Sequence, residues 1–360
     1  MKRLDRYMLA SYFRVFIFIF IAFICIFILV DLVEKIPQFL DNKLAFREIV
    51  HYYKLTIPWM AHWCFPVSAL LATVFFFGQT NKFHELTAMK ASGLSMYRLA
   101  LPFLMTGFLL SIGSFFFEDR IVVPSQQNLS VFMANNMKLS SKSRSQMIYR
   151  QVYFQLPQDQ VFTVQRYNTR SKKGRQAGLH TIVNGKITHR YDAQHVQWMD
   201  ESQNWLMLNV QERVFDGAEF FSRHDTVVIN IDVTPRELRS KTIKPENMTY
   251  NQLEEFIQRS KRLGMNTNRW ESNLYFRTAM NFSCFLVILL GIPLVTFQTR
   301  SGGYGSGVAG ALLLLFTFYV VLTLGKMLGI AGEIQPFWAV WIPNLIFLLI
   351  GLLLLIFVKK

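Results

Sequence analysis

VFIFIFIAFICIFILV, residues 15–30, decides the fold. The run carries no charge, and with its partly apolar flanks it reaches about 20 residues, which at about 1.5 Å per residue crosses roughly 30 Å of hydrocarbon. Arg14 bounds one end, and Asp31, Glu34 and Lys35 bound the other. Phe and Ile favour strands in water. In lipid, each backbone N–H and C=O must be satisfied within the segment, so the run reads as a helix. No small-residue cleavage pattern follows it; the chain continues as the polar, bulky DLVEKIPQFLDN, so the run reads as a retained span rather than a cleaved signal.

Five further apolar segments follow, at 57–78, 99–117, 279–297, 308–324 and 337–358. The second contains Pro58, Pro66 and His62, the third has a proline in its first turn, and Lys359 and Lys360 close the last. The fourth contains Gly291-Ile292-Pro293, which predicts a break there. Composition agrees with a membrane class: the 360 residues are 52% hydrophobic and only 17% charged. Soluble domains carry about 25% charge. The net charge of +15 raises nucleic acid as a partner. The basic residues form no aromatic-interleaved patch beside a nucleic-acid-binding signature, so no nucleic-acid partner is expected, and the charge is also compatible with anionic lipid headgroups or another anionic amphiphile. The three cysteines, Cys25, Cys64 and Cys284, all lie in apolar runs without CxxC spacing and read as small buried hydrophobes.

Between the third and fourth spans the character changes. QMIYRQVYFQL (146–156), VFTVQRY (161–167), KITHRYDAQHVQWM (186–199), WLMLNVQERVF (205–215) and TVVINIDV (226–233) alternate imperfectly between apolar and polar. They are rich in β-formers, and Asn184-Gly185 and Asp216-Gly217 suit hairpin turns. This reads as an antiparallel sheet domain: a sandwich, jellyroll or open barrel, since a sheet must cover its apolar face. Beyond it, Thr249 reads as an N-cap. Leu253, Phe256 and Ile257 recur at helical spacing, and Gly264 is the expected stop.

An even number of spans places both termini on one side. Lys2, Arg3, Arg6 and Arg14, then Lys82, Lys90 and Arg98, then Arg300 and the final two lysines all fall there, and the positive-inside rule makes that side cytoplasmic. Residues 120–277 hold 23 Lys or Arg against 14 Asp or Glu. Long domains translocate largely regardless of charge, so the insert is still expected outside. Lys35, Lys43, Arg47 and Lys54, between the first two spans, run against this assignment.

Few residues suggest chemistry. GQTNKFHELTAMKASGLSMYR (78–98) reads as two short helical pieces broken at Ser92-Gly93, with Glu85, Leu86 and Met89 on one face. That face suits docking against a partner; an ordinary solvated elbow is the plainer alternative. Lys35 could meet the phosphate of an anionic lipid or simply snorkel to the headgroups. Glu118-Asp119-Arg120 reads as an interfacial ion pair. SGGYGSG (301–307) lacks the Gly-Lys-Ser/Thr ending of a phosphate loop and reads as a turn with close helix packing. Asp192, His195, His224 and Asp225 read as surface residues of the sheet. With no HExxH, GxSxG or paired-carboxylate pattern, neither intrinsic catalysis nor a cofactor or metal is expected.

Five stretches carry a resemblance in order along the chain: LDRYMLASYFRVFIFIFIAFICIFILVDLVEKIPQFL (4–40), NKFHELTAMKASGLSMYRL (81–99), EDRIVVPSQQNL (118–129), PENMTYNQLEEFI (245–257) and RWESNLYFRTAMNFSCFLVILLGIPL (269–294). Together they resemble the LptF/LptG family of lipopolysaccharide-export permeases, with the opening and DLVEK leaning toward the G type. The resemblance implies a polytopic α-helical membrane protein of six transmembrane helices with an inserted all-β periplasmic jellyroll. The expected layout is spans one to three in 1–122, with a coupling helix near 80–98; the jellyroll in 123–245; a linker with a short amphipathic helix in 246–272; and spans four to six in 273–360. It further implies residence in the bacterial inner membrane, a second LptF/LptG-type permease subunit, a cytoplasmic ATPase dimer that does the hydrolysis, and a periplasmic bridge protein that receives lipopolysaccharide. Glu85, with Leu86 and Met89, would belong to the ATPase-coupling helix, Lys35 would lie near the lipid phosphates, and spans one and five would form lateral gates. The inner face of the jellyroll would cradle acyl chains. Asn281 departs from the pattern, standing where family members commonly have proline, which predicts an altered entry into span four. A permease for another lipid or lipoprotein, and a non-transporting membrane scaffold or sensor, are the alternatives that the residues leave open.

Overall fold

The computed structural model describes residues 3–137, 148–156, 160–168, 171–183, 186–200, 202–216, 218–231, 245–262, 266–298 and 304–357. They form two compact units: one of residues 1–132, 248–257 and 266–360, the other of residues 133–247 and 258–265.

The first unit is helical. Helix α1 (Arg3–Asp41), α2 (Phe46–Lys82), a short α3 (Glu85–Ala91) and α4 (Met96–Phe117) come first. A five-residue π-helical turn, Glu118–Val122, then leads into α5 (Val123–Asn136). After the insert come a 3-10 turn (Pro245–Asn247), α6 (Tyr250–Arg262), α7 (Asn268–Gln298), α8 (Tyr304–Ala331) and α9 (Pro336–Phe357). Among the described residues, six helices are long and apolar enough to cross a membrane, as the sequence predicts. Burial sorts them by role. The most apolar stretches of α2 and of α7 are 78% buried and make the centre of the bundle, whereas that of α1 is only 11% buried. Phe18, Leu29 and Val33 of α1 project outward, apolar side chains that water would reject but lipid or another apolar helix accepts.

The expected break in the fourth span is corrected: α7 runs unbroken through Gly291 and Pro293. Proline is tolerated where neighbouring helices surround the freed carbonyl. Gly291 serves packing instead of bending, because a Cβ there would lie 3.0 Å from Leu70 Cδ1 and 3.3 Å from Thr73 Cγ2, both on α2. The helix expected after Thr249 is α6, and its start is a reciprocal cap: Gln252 N donates to Thr249 Oγ1 at 3.4 Å, and Thr249 N donates to Gln252 Oε1 at 3.0 Å. Its apolar stripe is buried, with Leu253 and Ile257 in the core and Phe256 against Trp270 at 4.3 Å between ring centres.

The second unit is a six-stranded antiparallel sheet: β1 (Ile148–Leu156), β2 (Gln160–Asn168), β3 (Lys173–Val183), β4 (Lys186–Met199), β5 (Asn204–Asp216) and β6 (Ala218–Ile229). Neighbours in the chain are neighbours in the sheet, so the described strands form a meander. The all-β insert is present, and among the described strands its order is a meander, which leaves the jellyroll an expectation. The expected turns at Asn184-Gly185 and Gly217 lie outside the described residues, as do Gly264, 301–303 and the end of the fifth expected strand.

The sheet covers its own apolar face by curling. In a flat sheet, β2 and β5 would stand about 14 Å apart, three spacings of about 4.8 Å. Yet the ring of Trp205 on β5 lies 5.6 Å from Phe162 and 5.7 Å from Tyr167, both on β2. Strand β3 is missing from the expected set because Gly174 and Gly178 interrupt its apolar pattern. Tertiary packing requires the first of them: a Cβ on Gly174 would sit 2.6 Å from Val164 Cγ1 and 2.7 Å from Val196 Cγ1 on the flanking strands.

A crease crosses every strand. Residue pairing skips Gln151, Gln165, Gln176, Gln194, Asn209 and Asp225, one residue per strand, without changing the register on either side. At this line the buried positions change parity: Phe162 and Val164 give way to Tyr167 on β2, and Trp205 and Met207 to Val210 on β5. Gln176 and Asn209 both take φ of +53°. Alternation is imperfect in the sequence because the sheet bends here.

Candidate functional site

A polar cluster lies where α2, the end of α4 and the start of α7 meet. His62 comes from α2; Ser114 from α4; Glu118 and Asp119 from the π turn; and Arg277 and Asn281, one turn apart, from α7. A π turn fits one more residue into each turn than an α-helix, and such turns are often found at functional sites. Here it lets consecutive acids both face Arg277.

Asn281 is the hub. Its Oδ1 accepts from Ser114 Oγ at 2.6 Å and lies 3.0 Å from His62 Nε2; its Nδ2 donates to Glu118 Oε2 at 2.6 Å and to the Arg277 carbonyl at 2.8 Å. Arg277, 6% exposed, places Nε 3.3 Å from Glu118 Oε1 and Nη1 3.7 Å from Asp119 Oδ1, and also donates to the Met248 carbonyl at 2.8 Å. Asp119 in turn accepts from Tyr250 N at 2.6 Å, at the start of α6. Opposite charges and a full set of partners let these groups stay buried, where a lone charge would be costly. The cluster ties three spans and α6 together at one level of the bundle. Glu118 and Asp119, read from sequence as an interfacial pair with Arg120, thus find their partners on α7, while Arg120 stacks on Phe116 at 5.6 Å. The only sequence signal was ionisable residues at the edge of an apolar run.

The residues singled out in the elbow divide. His84, at φ of +59°, turns the chain after α2, and Gly93, at φ of +85°, turns it again before α4. Leu86 is 5% exposed and packs into the bundle core with Met8 and Met96, and Met89 packs half-buried against that core. Glu85 is half-buried in the first turn of α3, while Phe83, His84, Thr87 and Ala88 face outward, with Phe83 62% exposed. Arg98 ties the elbow down by donating to Asp5 Oδ2 of α1 at 2.7 Å. Lys35 is half-buried near the far end of α1, one turn beyond Asp31, which accepts a hydrogen bond from Tyr52 Oη at 3.4 Å.

Inside the curled sheet the lining is aromatic and aliphatic, with Phe162, Trp205 and Met207 wholly buried. A buried histidine lies on the opposite face of the sheet, in register with Val161 and Arg190. His180 is 4% exposed, and burial holds its imidazole down at about pKa 4; Arg190 adds to the shift and Asp192 opposes it. On the face that carries Phe162 and Leu179, with which Tyr191 and Glu212 are in register, hydrogen bonds from Tyr191 and then His224 hold the Glu212 carboxyl below its ordinary range.

Comparison with known proteins adds an independent observation. The model of the family described as lipopolysaccharide export system permease LptF/LptG matches residues 6–356. The chain is 22% identical over 310 residues to the lipopolysaccharide export system permease protein LptG of Escherichia coli K12, covering 84% of each chain. It is 19% identical over 350 residues to the protein of the same name from Haemophilus influenzae, covering 96% of each. A family match along nearly the full length, on a chain with six apolar helices around a sheet insert, leaves one conclusion: this protein belongs to the LptF/LptG family of lipopolysaccharide export permeases.

Proposed function

We propose that this protein is a permease subunit that moves lipopolysaccharide out of a bacterial inner membrane, driven by a separate cytoplasmic ATPase dimer docked at α3. The observation that carries the reading is the pairing, in a member of this family, of a six-span bundle with a self-curled sheet whose interior is lined by Phe162, Trp205 and Met207. An amphiphile leaving a membrane needs apolar cover for its chains and polar contacts for its head. The sheet interior offers the first, and Lys35, near the end of α1, is a candidate for the second. Both termini lie in the cytoplasm in this reading and the sheet in the periplasm, where a bridge protein receives the lipid. The exposed apolar face of α1 suits lipid entry beside a second LptF/LptG-type subunit.

This chain supplies motion and surface, not hydrolysis. ATP binding closes the partner dimer, the elbow transmits the movement, and the lipid is displaced toward the sheet. Phe83, Glu85 and Thr87 offer the coupling surface, while Leu86 and Met89 make it rigid with the bundle. The test is affinity purification of the full chain from gently solubilised membranes. Recovery of a stoichiometric ATPase and a second permease, with lipopolysaccharide crosslinking to a photoreactive residue in place of Met207, is expected. Recovery of the chain alone, or crosslinking to lipoprotein instead, overturns the reading.

A further inference from the structure

The outer face of the sheet carries a group of basic residues that no ion pair among the described residues explains. Arg166, Arg175 and His195 are direct cross-strand partners on β2 to β4. Directly opposed residues stand about 5 Å apart, and like charges so placed repel. Arg166, Arg175 and His195 are exposed, and among the described residues none of the three has an ion-pair partner. The neighbouring acids are engaged elsewhere, Asp192 with Arg190 at 2.6 Å and Asp200 with Lys172. Two residues further along the strands a second row, Asn168, Lys173 and Gln197, faces the same way. Arg166, Arg175 and His195 together with the second row line a cleft of about 530 Å³, edged by Ser171, and among the described residues no carboxylate lines it.

Such a surface is built for an anion. Guanidinium groups bind phosphate oxygens in pairs, with direction as well as charge. The cleft is too large for a lone phosphate and falls in the range of sites for whole small molecules, about 300–1,000 Å³. Beside the cations stand two amides and a hydroxyl, the groups that recognise sugar hydroxyls. We propose that this face is a binding site for a phosphorylated saccharide, with Arg166 and Arg175 on the phosphate and Asn168, Ser171 and Gln197 on the sugar. The site itself follows from the sheet alone; that its natural occupant is the phosphorylated sugar portion of an exported glycolipid rests on the export reading above.

The test is binding of glucosamine 1-phosphate to the full chain in detergent micelles, followed by thermophoresis. The double variant Arg166→Gln/Arg175→Gln is expected to lose affinity at least tenfold, while Lys172→Gln, whose charge is already paired with Asp200, stays within twofold. Because the double variant relieves repulsion, its thermal midpoint is expected to be unchanged or higher, so a loss of binding is not a loss of fold. Glucosamine should not compete. Equal competition by inorganic phosphate would remove the saccharide from the proposal, and stronger competition by phosphatidylglycerol vesicles would make the face a membrane contact instead. No binding of the phosphosugar, or equal binding by the double variant, overturns the site. These outcomes are independent of ATPase recovery, so failure of the export reading leaves them interpretable.

Discussion

Asn281 shows how one side chain sets the local chemistry of a bundle. Its amide meets an acceptor need at Glu118 and donors at Ser114 and His62, in surroundings where water cannot substitute. Replacing it with leucine removes these bonds and leaves Glu118 short of a donor. Asn281→Leu is therefore expected to destabilise the bundle by about 2 kcal/mol, the scale of a lost hydrogen bond to a charged group; thermal unfolding in detergent measures it. His180 is the second residue with a measurable signature. Its folded pKa of about 4 lies below the unfolded 6.5, so the unfolded chain binds the extra proton first. The sheet is fully stabilised above that unfolded value and loses stability as pH falls from it toward the folded value. The full loss is about 3 kcal/mol by the linkage relation. Glu212, depressed for the opposite reason, contributes stability that is lost only below its ordinary carboxylate range, so the windows separate. Hydrogen exchange of the β3 and β4 amides at about pH 7 and about pH 5 should show the loss, and His180→Gln should flatten it.

Among the elements, the crease decides the sheet. A regular strand keeps alternate residues on one face, and a flat meander of six strands would leave Trp205 and Phe162 facing water. One skipped residue per strand at the same level lets the sheet fold over while every flanking pair keeps its register. Gln176 and Asn209 reach the left-handed region, where unbranched polar residues are tolerated and β-branched ones are strained. Asn209→Val is expected to destabilise the sheet by about 1–2 kcal/mol despite valine's preference for strands, and Asn209→Gly to be neutral or stabilising. Unfolding followed by exchange of the β4 and β5 amides distinguishes this from a propensity effect, which predicts the reverse order. The π turn plays a comparable part in the bundle, since without it Glu118 and Asp119 would face different directions.

At the scale of the whole molecule, burial separates residues that shape the elbow from those that can meet a partner. Leu86→Ala is expected to destabilise the bundle by about 2–5 kcal/mol, the cost of a buried leucine. Phe83→Ala, at an exposed position, is expected to leave thermal unfolding unchanged while reducing ATPase recovery at least tenfold, as loss of an aromatic anchor of about 2 kcal/mol does. Equal recovery with and without Phe83 would remove this side chain from the proposed coupling surface. The unequal burial of the spans has a similar consequence: the apolar stretches of α2 and α7 form the centre, whereas α1 turns apolar side chains outward.

The sequence by itself determined what is local. Six spans were legible because hydropathy and a fixed rise per residue are properties of contiguous segments. The cap at Thr249 was legible because its partner Gln252 is three residues away, and the family was legible in five ordered stretches. Tertiary structure alone decided the rest. His62 and Asn281 are neighbours although 219 positions apart in the chain, the reason for a glycine at 174 shows only in the close neighbouring strands, and a helical pattern cannot tell whether Leu86 faces the bundle or the outside. The physical reason is common to all three: periodicity records which residues share a face, and only packing against distant chain decides what that face meets.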